Sequence, residues 1–142
     1  MTSASPSPQS LDFRNIIETP LRQFVPWLAI VLLVTFAGQP GVVCVTPMAW
    51  LIALQVGNIC VKRSRSPGRS QRLIEASLAG AVLGLLQGIL FAVIITRMEP
   101  ISADDQAKSI TLTLIMIGVG ILAGAGLSFF TAYLNEQRRQ TS

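Results

Sequence analysis

The chain has 142 residues, of which 51% are hydrophobic and 13% are charged, and its mean hydropathy is +0.57. Soluble domains carry about 25% charged residues, so this composition excludes an ordinary soluble domain and indicates a protein that lies in a lipid bilayer. The sequence has no His and two Cys, which excludes imidazole bases, His-ligated metals and four-Cys metal sites, and we expect no enzyme, cofactor or bound metal.

The amino-terminal region, residues 1–20, is predicted to combine a disordered tail with a short amphipathic segment. Residues 1–10 are rich in Ser and Pro, as in solvated tails that cannot form a core. Phe13, Ile16 and Ile17 follow at helical spacing, which is typical of a short helix lying at the membrane interface. The alternative is an irregular lead-in to the first membrane span.

Four apolar segments follow, and each approaches or exceeds the ~20 residues that a helix needs to cross a bilayer. The predicted transmembrane helices cover residues 21–38, 42–61, 73–96 and 110–134. They form an all-α membrane domain over residues 21–134, and residues 135–142 are predicted to be a short cytoplasmic tail.

The short connections predict that the four spans form two helical hairpins. Thr19, as a cap, and Pro20, at the first helical position, predict the start of the first span. Gln, Pro and Gly at residues 39–41 predict a tight turn. Pro47 predicts a bend inside the second helix, and the alternative is that residues 41–47 are extended and the helix begins at Pro47.

The distribution of basic residues predicts the orientation of the spans. With four spans, both termini and the loop at residues 62–72 share one side, which holds nine of the 11 Lys and Arg residues. The positive-inside rule places this side in the cytoplasm. Since no organelle-targeting pattern is visible, we expect the plasma membrane. Phe24, Trp27 and Tyr133 are expected at the cytoplasmic membrane–water interface, where aromatic residues are enriched.

The basic loop is expected to attract anionic lipid headgroups on the cytoplasmic side. The residues predicted to make this contact are Lys62, Arg63, Arg65, Arg69 and Arg72. Nucleic-acid binding is not expected, because the loop has no aromatic side chain on which bases stack.

Small residues recur at every fourth position in the last two spans. The third span carries Ala76, Gly80, Gly84, Gly88 and Ala92, and the fourth carries Gly120, Gly124, Ser128 and Ala132. Such a glycine zipper allows the close backbone approach that drives helix association in lipid. The two rows predict either packing between the third and fourth spans of one chain, or a groove that receives a helix of another chain.

Polar side chains within or beside the spans are the candidates for intramembrane contacts. These candidates are Gln55, Asn58, Glu75 and Gln87. Asn58 and Glu75 lie at similar predicted depth, which indicates a hydrogen bond between them, and Arg72 lies one turn from Glu75, near enough for an ion pair. No charged residue falls near the middle of a predicted span, which disfavours an ion-coupled transporter.

These patterns favour a non-catalytic, structural or accessory subunit of a larger membrane complex, such as an energy-transducing or transport assembly. Its partners would be other membrane subunits or further copies of itself. The alternative is a small homo-oligomeric channel or carrier for a neutral solute or a weakly selective ion path. Gln55, Asn58 and Gln87 would then line the path.

Overall fold

The computed structural model describes residues 11–37, 40–98 and 106–140, and within these ranges the prediction of an all-helical protein is confirmed. The helices are α1 (Phe13–Ala37), α2 (Pro40–Arg63), α3 (Arg69–Met98) and α4 (Gln106–Gln140). The predicted tail at residues 1–10 lies outside the described residues, as do residue 38, the last of the first predicted span, and residue 39, the first of the predicted turn.

Three of these helices are long and apolar enough to cross a membrane. The candidate spans are Phe13–Thr35, Arg69–Ile94 and Lys108–Gln140. A bilayer needs about 20 predominantly apolar residues per helix, and each candidate exceeds that length. These long apolar helices indicate that the chain is a membrane protein. Helix α2 is not among the candidates, so the prediction that it crosses the membrane stays a prediction.

The most extensive helix contact joins α3 and α4. Gly80 faces Gly124 and Gly84 faces Gly120, so the two helices run antiparallel along this contact. Helix α2 packs against both of them, and α1 packs against α2 and α3. Among the described residues α1 and α4 share no contact, so this packing places α3 between them.

Helix α1 begins earlier than the sequence patterns indicate. The Asp12 carboxylate accepts a hydrogen bond from the backbone N–H of Asn15 at 3.1 Å, which is the geometry of a helix N-cap. The predicted helix start at Thr19 and Pro20 is therefore wrong, and so is the alternative of an irregular lead-in. Residues 13–18 are helical and continuous with the rest of α1, and their location at the membrane interface stays a prediction.

Tertiary packing explains why the helix continues through Pro20. A proline inside a helix leaves the carbonyl four residues earlier without its usual partner and tends to bend or end the helix. Here Pro20 is fully buried, and the flanking Ile16 and Thr19 are 5% and 1% exposed. The Thr19 hydroxyl donates to the Asn15 Oδ1 atom at 2.8 Å across this turn. Packing on α2 and α3 thus outweighs the tendency of Pro20 to end the helix.

Two further boundaries differ from the predictions. Helix α2 begins at Pro40 and contains Pro47, so the alternative of an extended segment at residues 41–47 is wrong. Helix α4 continues to Gln140, so residues 135–140 of the predicted tail are helical. The extension is held by tertiary contacts, because Asn135 and Glu136 both bond to residues of other helices.

The interior contains two hydrophobic clusters. One joins α2, α3 and α4 around Val56, Ala79 and Leu83, each at most 2% exposed. The other centres on Trp27, which is 1% exposed and meets the Phe91 ring edge-on with centroids 5.9 Å apart. The Trp27 indole therefore packs inside the bundle rather than on its outer surface, and its depth at the membrane interface stays a prediction.

Candidate helix-packing site and polar network

Glycines of α3 and α4 form a seam in which the two backbones touch. A Cβ atom built on Gly84 would overlap the carbonyl oxygen of Gly120 and lie 2.6 Å from its carbonyl carbon. A Cβ on Gly124 would likewise overlap the Gly80 carbonyl oxygen. Real Cβ atoms do not approach backbone so closely, so this seam requires glycine. The structure brings both predicted rows together within one chain.

The remaining members of the rows extend the seam. Gly88 packs against Ile117, whose Cα would lie 2.9 Å from an added Cβ atom. The other small residues of the rows are between 0% and 6% exposed, and they are Ala76, Ala92, Ser128 and Ala132. All of them therefore lie inside the bundle rather than on its lipid-facing surface.

Helix α2 contributes a third small-residue row, which the sequence analysis missed. A Cβ on Gly57 would overlap the carbonyl oxygen of Ser128, and the Ser128 hydroxyl donates to the Ala53 carbonyl at 2.7 Å. Ala49 continues the row one turn earlier and is 4% exposed. The spacing of Ala49, Ala53 and Gly57 was the available signal, because it is the same four-residue spacing.

The opposite face of α4 carries glycines that no other described helix packs against. Apart from the adjacent residues and backbone of α4 itself, a Cβ atom on Gly118 or Gly126 would have none of the described atoms within 4 Å. Leu122 lies between them on the same face and is 75% exposed. Gly120 and Gly124 are thus packed against α3, whereas Gly118 and Gly126 point away from the bundle.

The four predicted polar residues do not meet at one place. Gln55 is exposed on the outside of α2. Asn58 accepts a hydrogen bond from Asn135 of α4 at 3.1 Å, and Gln87 donates to the Ala49 carbonyl at 3.4 Å. The predicted hydrogen bond between Asn58 and Glu75 is therefore wrong, because both side chains have other partners.

Glu75 is the most deeply buried charged side chain described, with 0% of its surface exposed. Its Oε1 atom accepts hydrogen bonds from the Asp12 backbone N–H at 3.0 Å and from the Ser66 hydroxyl at 2.5 Å. Its Oε2 atom has no hydrogen-bond partner among the described residues. Glu75 thereby ties the start of α1 and the loop after α2 to α3.

A second set of bonds fixes α1 on the end of α2. The Asn15 side-chain amide donates to the Cys60 carbonyl at 3.0 Å and lies 3.4 Å from the Cys60 sulfur. Asn15 is 7% exposed and Cys60 is fully buried. Buried polar groups of this kind must be paired, and the pairing sets the register of α1 against α2.

Arg72 has a different partner from the predicted one. Its guanidinium makes a bidentate ion pair with Glu136 of α4, at 2.8 and 3.0 Å, rather than with Glu75. It also donates to the Ser66 carbonyl at 3.0 Å. The prediction of an Arg72–Glu75 pair is wrong, because Glu75 turns toward Asp12 and Ser66 in the interior.

The five predicted lipid-contacting residues fall into two groups. Arg72 is engaged with Glu136, and the Arg69 guanidinium lies 5.4 Å from the centre of the Tyr133 ring. The side chains left exposed at the end of α2 are Lys62, Arg63 and Arg65. The exposed positive charge of these five residues is therefore concentrated at positions 62–65, and their contact with lipid headgroups stays a prediction.

The described helices are thus joined by close small-residue contacts and by buried hydrogen bonds and ion pairs. Over the described part of the chain, no three Cys, Asp or Glu side chains are grouped as metal ligands would be. In comparisons with known proteins, no family model, no curated protein and no solved structure matches this chain.

Proposed function

We propose that this chain is a non-catalytic membrane protein that serves as a structural or accessory subunit of a larger membrane complex. The observation that carries the proposal is the outward pair of glycines on α4, Gly118 and Gly126, which have open space around them. The proposed docking surface is the face formed by Gly118, Leu122 and Gly126, which we name the outer α4 face.

The outer α4 face has the composition of a helix-binding surface. A glycine inside a helix costs about 1 kcal/mol relative to alanine, so two glycines facing away from the bundle weaken α4 without an internal benefit. Small residues on a transmembrane helix permit another helix to approach closely. The partner is therefore proposed to be an apolar helix of another subunit.

The topology proposed for this role has four spans in two hairpins, with both termini on the cytoplasmic side of the plasma membrane. The positive charge supports it, because nine of the 11 Lys and Arg residues lie at the end shared by the termini and residues 62–72. The other end carries Arg97 and Lys108. Short connections and close helix packing favour the hairpin arrangement.

Substituting the outer α4 face tests the proposal. Gly118→Leu and Gly126→Leu are each expected to shift the native complex to a smaller size on a native gel, since a large side chain keeps a partner helix away. The isolated chain is expected to remain folded, because a Cβ atom at either position would meet no other described element within 4 Å.

A bulky residue on another exposed helix serves as the matched control. Ala29 is exposed on α1, so Ala29→Leu adds a large apolar side chain away from the outer α4 face and is expected to leave the complex intact. An unchanged complex size in both glycine variants would contradict the proposed docking surface.

A second candidate, an oligomeric channel or carrier for a neutral solute, draws support from one groove. An apolar groove of about 460 Å³ lies between α2 and α4, with Gln87 and Gly88 of α3 in its lining. A single amide in an apolar wall is a simple way to orient a neutral solute. The positions of Gln55 and Asn58 do not support this candidate, because neither side chain lines the groove.

Flux measurements separate the two candidates. As an accessory subunit, the purified full chain in liposomes is expected to release an encapsulated neutral solute no faster than protein-free liposomes do. A flux that appears with the native chain and falls about tenfold or more in Gln87→Leu would favour the carrier, since the amide lines the groove.

A further inference from the structure

A charged cleft of about 350 Å³ lies between the first turns of α1 and the end of α2. Four arginines line it, two from α1 and two from the end of α2 and the loop after it: Arg14, Arg22, Arg63 and Arg65. Two acidic residues, Asp12 and Glu18, also line it. The cleft therefore has an excess of two positive charges from side chains on separate segments.

The acidic residues are already occupied by contacts inside the protein. Glu18 is held between Arg14, at 3.1 Å, and Arg22, at 2.5 Å. The Asp12 carboxylate caps α1 through the Asn15 N–H. The two carboxylates thus make their direct contacts on the α1 side of the cleft, and Arg63 interacts with Glu18 only through its charge at longer range.

Arg63 and Arg65 supply the positive charge on the α2 side of the cleft. Both are exposed, and neither forms a hydrogen bond or salt bridge with a residue in the described ranges. Guanidinium groups bind phosphate oxygens with paired, charge-assisted hydrogen bonds. Two such groups at the mouth of a cleft match one phosphate group.

An apolar row runs along α1 beside the cleft. Phe13, Ile17, Leu21 and Val25 recur at every fourth position and are between 43% and 65% exposed. This row occupies the helix face next to that of Arg14 and Glu18. A ligand with both an anionic head and an apolar tail would contact the cleft and the row together.

We propose that this cleft binds the phosphate of an anionic phospholipid, whose acyl chains lie along the apolar row of α1. The chemistry shared with a free phosphate ion is the phosphate oxyanion, and the apolar row favours the lipid as its source. This inference is independent of the accessory role, because the outer α4 face and the cleft lie on different helices.

Lipid binding to the full chain in detergent tests the proposal, with native mass spectrometry as the readout. Phosphatidylglycerol is expected to bind at lower concentration than phosphatidylcholine. The double variant Arg63→Gln/Arg65→Gln is expected to weaken phosphatidylglycerol binding about tenfold or more, since each arginine makes charge-assisted bonds to phosphate.

A second double variant removes the same charge from the same end of the molecule. Arg138→Gln/Arg139→Gln lies in the last turn of α4 and also removes the 3.8 Å contact of Arg139 with Glu136. It is expected to weaken lipid binding less than about threefold, because it reduces the general attraction and leaves the arginines of the cleft in place. Equal losses in the two double variants would overturn the proposal, as would equal binding of the two lipids by the native chain.

Competition with inorganic phosphate identifies the source of the anion. At about 10 mM, inorganic phosphate is expected to leave phosphatidylglycerol bound, because it does not use the apolar row. Displacement below about 1 mM would overturn the lipid proposal and assign the cleft to free phosphate. Gly118→Leu is expected to retain lipid binding, so failure of the accessory role and failure of this site are distinguishable.

Discussion

Gly124→Ala is expected to lower the free energy of unfolding by about 3 kcal/mol or more, although it adds one methyl group. The added Cβ would overlap the Gly80 carbonyl oxygen and lie 3.1 Å from the Gly84 Cα atom. Both neighbours are backbone of α3, so the two helices must move apart. Their separation would also weaken contacts along the rest of the seam.

Gly126→Ala supplies the matched control on the same helix. Its Cβ would have no described atom within 4 Å, so the substitution is expected to be neutral or to stabilise α4 by up to about 1 kcal/mol through helix propensity. Unfolding of both variants by denaturing detergent, followed by circular dichroism, provides the measurement. Similar stabilities for the two variants would contradict the close contact between α3 and α4.

Substitutions of Gly84 or Gly124 do not test association with another chain directly. Substituting Gly84 or Gly124 disturbs the fold of one chain, because both glycines lie in the seam between α3 and α4. Loss of a complex in such variants would therefore be an indirect effect of misfolding. Gly118 and Gly126 test association directly, since they face away from α3.

Glu75→Ala is expected to destabilise the protein by about 3 kcal/mol, while Glu75→Gln is expected to remain within about 1 kcal/mol of the native chain. Alanine removes the acceptor of the Asp12 N–H and of the Ser66 hydroxyl and leaves a cavity at a position with 0% exposure. Glutamine keeps an oxygen at the Oε1 position and eliminates a buried charge.

The part of the chain that loses protection from hydrogen exchange provides a local test of the Glu75 contacts. Because Glu75 holds the start of α1, hydrogen exchange in residues 13–20 is expected to increase in Glu75→Ala but not in Glu75→Gln. Unfolding in the same detergent gives the global stability. A glutamine variant as unstable as the alanine variant would show that the negative charge itself is required.

The predictions that succeeded depend on one-dimensional patterns. Long apolar segments predict helices in lipid because every backbone N–H and C=O must be paired within the helix. Small residues at every fourth position predict a smooth helix face whatever its neighbour. The sequence also contained a signal for the true start of α1, since Asp12 is a good N-cap residue. The prediction used Thr19 and Pro20 instead and therefore placed the start too late.

The sequence by itself determined the helical, apolar character of this protein and the positions of its glycine rows. It did not determine partners, because the contact of Asn58 with Asn135 and that of Arg72 with Glu136 each join residues more than 60 positions apart. Depth along a span restricts which residues lie at one level, but the rotation and neighbours of each helix decide which side chains meet. The tertiary structure alone therefore separated the glycines facing α3 from those facing outward.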